Sequence, residues 1–182
     1  PYSLLNLLRA IASFVRSIVS FDAPYDRYLH GDASALSPSA IRGMALFFSE
    51  RLECFHCHGG YQFTDSSTHA DAVVESVGFH NNGLYNIAGS GAYPPDNTGL
   101  YDITGERRDM GRFKAPTLRN IAVTAPYFHD NSAATLEAMI RHYQLEFEGV
   151  RRVIPDFLPW PLRPDPITDD QLAPLIAYLK KI

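Results

Sequence analysis

The 182-residue chain is 46% hydrophobic with a formal net charge of −4, which suits one well-buried domain and supplies no basic field for nucleic acid. No run of about 18 apolar residues occurs, so no helical membrane span is expected. Both cysteines fall in one short motif, which excludes a disulfide framework.

The most apolar stretch, Leu4 to Val19, is interrupted by Asn6, Arg9 and Arg16. Leu4, Leu5, Leu8, Ile11, Ala12, Val15 and Val19 recur at three-and-four spacing, which predicts a helix over 3–20 with one buried face. No signal peptide precedes it, and the chain opens at Pro1 within the helical pattern, as a mature product or a piece of a longer chain would. Ser37-Pro38, followed by Ala40, Ile41, Met44, Ala45, Phe47 and Phe48, predicts a capped second helix leading to Cys54. From Gly59 to Pro116 the pattern is irregular, a length expected to wrap a cofactor. Residues 117–123 are read as one or two helical turns. Thr135 to Tyr143 begins with a cap and places Leu136, Met139, Ile140 and Tyr143 on one inward face. Residues 150–167 are proline-rich (Pro155, Pro159, Pro161, Pro164, Pro166) and read as an extended surface segment. Thr168-Asp169-Asp170 caps a last helix through Leu179, with Pro174 a candidate kink in its first turns. The expected architecture is mostly α, a single domain over 1–182 with long loops and no internal repeat.

Cys54-Phe55-His56-Cys57-His58 has the form Cys-x-x-Cys-His. On a helical turn two sulfurs on one side can meet two vinyl groups while the adjacent imidazole reaches iron, so the motif reads as a haem c attachment site with His58 the proximal ligand. A zinc site needs a second ligand pair and a thioredoxin-like site needs a βαβ setting; neither is present. His56, His69 and His80 read as surface or hydrogen-bonding residues. Haem c attachment implies a periplasmic or otherwise extracytoplasmic address. Met44 and Met139 sit at core-type helical positions, which leaves Met110 as the methionine candidate for a sixth ligand.

The block from Gly111 to Asp130 (GRFKAPTLRNIAVTAPYFHD), with Ala134-Thr-Leu-Glu137, resembles the C-terminal half of bacterial di-haem cytochrome c peroxidases and of their MauG-like and MbnH-like relatives. The likeness extends back through Phe21–Leu29 and Arg42–Phe48 to the Cys motif, and forward to the last helix. It implies a cytochrome c-like helical domain whose N-terminal haem domain partner is absent from this chain. Where the peroxidases place an axial Met, this chain has Tyr143, which points to the MauG and MbnH branch. A phenolate is a hard anionic donor that stabilises high oxidation states of iron, whereas a thioether favours the reduced state. The reading from residues alone keeps Tyr143 as an ordinary buried tyrosine open.

By resemblance, then, the chain holds one haem c on His58 and Tyr143, a second haem in the missing domain reacts with hydrogen peroxide, and high-valent equivalents oxidise an aromatic residue, tryptophan in MbnH, of a periplasmic partner protein. The loop Phe79–Asn86, with Asn97–Leu100 beyond it, is closer to MbnH-like members. The family's exit tryptophan is replaced here by Leu52, and the sole tryptophan, Trp160, has no assigned role. Thr124 and Pro126 match an inter-domain calcium site whose oxygen donors suit that ion; the alternative is a simple turn. Arg119, ahead of Arg112 and Lys114, is the candidate partner for a haem propionate, with plain exposed cations the alternative. Asn120 and His129 are read as ordering their loop. Two other functions remain open: a di-haem peroxidase fed by a small electron donor, and a monohaem electron carrier ligated by Met110.

Overall fold

The computed structural model describes residues 2–67, 78–143 and 167–182. In chain order it contains α1 (Leu4–Ser17), α2 (Pro24–Leu29), α3 (Pro38–Phe47), α4 (Cys54–His58), β1 (Phe79–His80), α5 (Tyr101–Thr104), β2 (Phe113–Lys114), α6 (136–143) and α7 (Asp169–Leu179). The proline-rich segment, Trp160 and His69 lie outside the described residues.

Local chemistry sets the helix starts. The Ser37 hydroxyl accepts the Ala40 amide at 3.2 Å and Pro38 opens α3; Thr135 caps α6 through the Ala138 amide at 3.1 Å. At α7 the Thr168 amide donates to Gln171 at 3.2 Å within a capping box. Each cap satisfies an amide that has no partner inside its helix. Despite Pro174, α7 runs unbroken from Asp169 to Leu179. Within 117–123, where one or two helical turns are expected, one forms, a 3-10 turn over Ile121–Val123.

The frame is the α3–α7 pair. Gly43 lies at their crossing, where any Cβ would strike the Pro174 carbonyl and crowd Tyr178, so only glycine permits this approach. Around it Tyr25, Phe47, Phe63 and Tyr178 pack edge to face with ring centroids 5.2 to 6.0 Å apart. Leu136 and Ile140 of α6, with Leu172, Leu175 and Leu179 of α7, complete one core. The one two-stranded sheet among the described residues is antiparallel, pairing Phe79 with Lys114 and His80 with Phe113, and ties the long loop to the 113–119 segment.

One expectation is corrected. The first helix forms, capped by Ser3 on the Asn6 amide at 3.2 Å, but none of its residues is buried. Periodicity shows that one face is apolar; it does not supply a surface to cover that face.

Candidate functional site

Helix α3 and the following turn deliver the Cys motif, which folds as the single-turn helix α4 with Cys54 and Phe55 packed on the core that contains Leu52. Glu53 before it adopts a left-handed conformation (φ 54°), which turns the chain sharply into Cys54. Burial pushes both thiols up to about 12, Cys57 being further disfavoured as an anion by Asp65 and Glu53. Because the folded value is raised, thiolate appears only as the pH climbs towards 12. In the haem-free chain, alkylation at pH 8 is expected to run roughly a thousandfold slower than for free cysteine and to accelerate with pH. Alkylation at the free-cysteine rate would show that the thiols are not enclosed.

His58 closes α4. Its Nδ1 donates to the Phe63 carbonyl at 3.1 Å, with the Pro116 carbonyl as a second acceptor, and burial pulls its pKa down. A neutral ring whose Nδ1 proton is committed to a carbonyl presents the lone pair of Nε2, the form a metal requires. That geometry depends on the loop after His58, which is held from three directions. The Thr64 hydroxyl donates to the Ala115 carbonyl at 2.7 Å and Thr117 to the Gln62 carbonyl at 2.5 Å. Arg119 donates to the Tyr61 carbonyl at 3.1 and 2.6 Å and stacks over Phe21 and Phe63. Its charge is met by buried Asp26 at 2.6 Å.

Tyr143 is the last described residue of α6. Part of the residue is exposed, yet its hydroxyl sits deep enough that burial raises it to about 12, and it is close enough to Cys57 and Cys54 to feel their charge. A hydrogen bond with the Asn82 side chain acts against that rise and so favours the phenolate. The same Asn82 is tied down by the Leu84 amide at 3.3 Å on its Oδ1 and by His142 on its carbonyl at 2.9 Å. Sequence reasoning quoted the loop that contains Asn82 but not its role; nothing local marks which asparagine of Asn81-Asn82 meets α6.

The remaining candidates fall into place around this pair. Met44 and Met139 pack on the core, while Met110 receives Asn81 on its backbone carbonyl at 2.9 Å. His56 bonds Glu50 at 3.1 Å and His80 bonds Asp65 at 2.5 Å. His129 stacks on Phe113 at 3.8 Å and meets Asn97 at 2.9 Å; Asn120 donates to Ser20 at 2.9 Å. Thr124 and Pro126 are exposed on the turn before Tyr127, with the Thr124 hydroxyl donating to the Ile121 carbonyl at 3.2 Å. Arg112 pairs with Asp109 at 3.6 Å. Leu52 is buried in the core.

Two sulfurs and one imidazole on a single turn, with burial holding His58 towards its neutral form, are a donor set that fits a covalently held haem. No established family model matches the chain. It is 36% identical over 142 residues to the methylamine utilization protein MauG of Methylophilus methylotrophus, covering 78% of this chain and 37% of that protein. It is 35% identical over 177 residues to the cytochrome c551 peroxidase of Nitrosomonas europaea, covering 97% and 44% respectively. A solved structure of a MauG-like protein associated with microbial copper homeostasis matches with a TM-score of 0.81 and 43% identity, over 100% of this chain and 53% of that one. The chain therefore spans about half the length, or less, of the proteins it matches.

Proposed function

Since this chain belongs to the bacterial di-haem cytochrome c peroxidase and MauG family, we propose that it is the C-terminal haem domain of a peroxide-dependent di-haem oxidase acting on an aromatic residue of a periplasmic partner protein. What supports this reading is a phenol, and not a thioether, at position 143, its hydroxyl buried and within electrostatic reach of Cys57 and Cys54. A haem c bound there supplies redox-active iron whose higher oxidation states a phenolate stabilises. Cys54 and Cys57 anchor the group. His58 would hold the iron through Nε2, its ring oriented by the Phe63 carbonyl. Tyr143 must give up its proton to ligate, and the Asn82 amide favours the anion so formed. A second haem, in the part of the protein outside this chain, is assigned the reaction with hydrogen peroxide.

Arg119 orients the His58 loop. Among the described residues Nε and one hydrogen on each terminal nitrogen are engaged, and a further N–H on each terminal nitrogen is assigned to a propionate. Thr124 and Pro126 are assigned half of a calcium site facing the other domain, since both are exposed and offer oxygen. The Cys-x-x-Cys-His motif supports a periplasmic address, where haem c is attached.

The test is Tyr143→Phe in the complete holoprotein. Peroxide-driven oxidation of the partner protein is expected to fall at least about tenfold, a loss of about 1.4 kcal/mol of transition-state stabilisation, with haem content unchanged. Undiminished turnover would remove the oxidase reading and favour a peroxidase fed by a small electron donor.

A further inference from the structure

We propose that Tyr85, hydrogen-bonded to Asp130, is the surface residue through which oxidising equivalents leave this domain for an aromatic side chain of the partner protein. The proposal rests on the oxidase reading above and adds the residue at which electrons enter.

Two loops run from Tyr143 to Tyr85. On the first, the Asn82 side chain shares a hydrogen bond with the Tyr143 hydroxyl. Tyr85 follows three residues later, which keeps its Cα within about 11 Å of that of Asn82. On the second, the Phe128 ring centroid lies 6.1 Å from that of Tyr143, and Asp130, two residues on, accepts the Tyr85 hydroxyl at 2.9 Å. Tyr93 stands beside the first loop. Its buried ring is 5.3 Å from that of Tyr85, and its hydroxyl donates to Asn81, the neighbour of Asn82, at 2.7 Å.

The hydrogen-bond partner sets Tyr85 apart. A phenol that gives up an electron becomes a strong acid, so its oxidation is favoured where a base takes the proton. Tyr93 donates to the neutral Asn81 amide and Tyr127 to the Ile121 carbonyl, neither of which takes a proton near neutral pH; Tyr85 donates to a carboxylate. Burial works against charge on Asp130, but hydrogen bonds from Ser132 and Tyr85 hold its carboxyl below the usual range, so it is ionised at neutral pH. The bond to Asp130 in turn raises Tyr85, which stays a phenol. In the step proposed, one electron passes from Tyr85 to the haem centre, which is reduced by one, while the Tyr85 O–H bond breaks and its proton joins the Asp130 carboxylate. An electron from the partner's aromatic side chain then restores Tyr85, which takes its proton back from Asp130. Hydrogen peroxide, a two-electron oxidant, drives this twice per molecule. Tyr85 is half-buried, its ring 6.4 Å from that of exposed His129 and two residues before Ile87, which is 46% exposed, so an outside aromatic ring can approach it.

To test this, the complete holoprotein is treated with hydrogen peroxide and a nitroso spin trap without the partner, the trapped residue is located by peptide mass spectrometry, and haem absorption is followed in parallel. The adduct is expected on Tyr85. Tyr85→Phe is expected to remove it and to slow partner oxidation at least about tenfold, with haem content and the ferric spectrum unchanged. Asp130→Asn keeps a hydrogen-bond tie between the loops but takes no proton. It is expected to slow adduct formation at least about tenfold, less than an enclosed base contributes because water can stand in at the surface; a bond that only joins the loops would leave that rate unchanged. In the resting protein the Tyr85 phenol, read as the tyrosinate absorption that Tyr85→Phe removes, is expected to titrate above pH 10.0 and to drop in Asp130→Asn. Tyr101→Phe, on α5, is expected to change none of these rates. Adducts on other residues with none on Tyr85, or partner oxidation at the full rate in Tyr85→Phe, would overturn the exit. Haem absorption that does not respond to peroxide would instead remove the oxidase reading on which the proposal stands.

Discussion

Replacing Cys54 and Cys57 together by serine is expected to yield a polypeptide from which all haem of this domain is lost on denaturation and solvent extraction. The thioethers are the only covalent links the chain can offer, since it contains no other cysteine. The hydroxyls of serine do not form them, and His58 alone holds the group by a single reversible bond. The effect should extend beyond the group itself. Cys54 and Phe55 lie against the core that also contains Leu52 and Phe63, so loss of the group leaves that edge of the domain without its filling. The measurement is a haem stain after denaturing electrophoresis together with the pyridine haemochrome spectrum. Haem that stays with the double variant through extraction would contradict the attachment site.

A comparably large effect is expected at Arg119, in stability and not in cofactor retention. Its side chain is 6% exposed and that of Asp26 is 10% exposed, with 2.6 Å between nitrogen and oxygen. Arg119→Met strips a buried carboxylate of its counter-ion and is expected to cost about 3–5 kcal/mol. It also releases the Tyr61 carbonyl and with it the loop that presents the Phe63 carbonyl to His58, so the haem environment should loosen along with the fold. Pairing it with Asp26→Asn removes the orphaned charge and is expected to recover much of the loss, the non-additivity that a direct contact requires. Denaturant titration of the four proteins reads both numbers. A single-variant cost below about 1 kcal/mol would mean that the pair behaves as an exposed surface ion pair.

What could be seen in the sequence follows from the range of each interaction. Helices α3, α6 and α7 were legible because a cap, an apolar period and a terminator all lie within a dozen residues. The Cys-x-x-Cys-His turn was legible for the same reason, and its chemistry came with it. The partner of Arg119 was not, because Asp26 stands 93 positions away in the chain and no local pattern announces a buried pair. Asn82 was hidden in the same way: its loop is visible, but only the fold brings its amide to α6. The two-residue strands β1 and β2 are too short for any alternation to show. In α1 the apolar face was read correctly as a face and wrongly as buried in this domain.

The most direct test of the central claim, that His58 and Tyr143 would both hold the haem iron, is the ferric optical and electron paramagnetic resonance spectrum of the holoprotein. A phenolate-ligated ferric haem, with no far-red thioether charge-transfer band, is the expected result. Appearance of the thioether band would contradict it, returning Tyr143 to the core and the sixth position to a methionine.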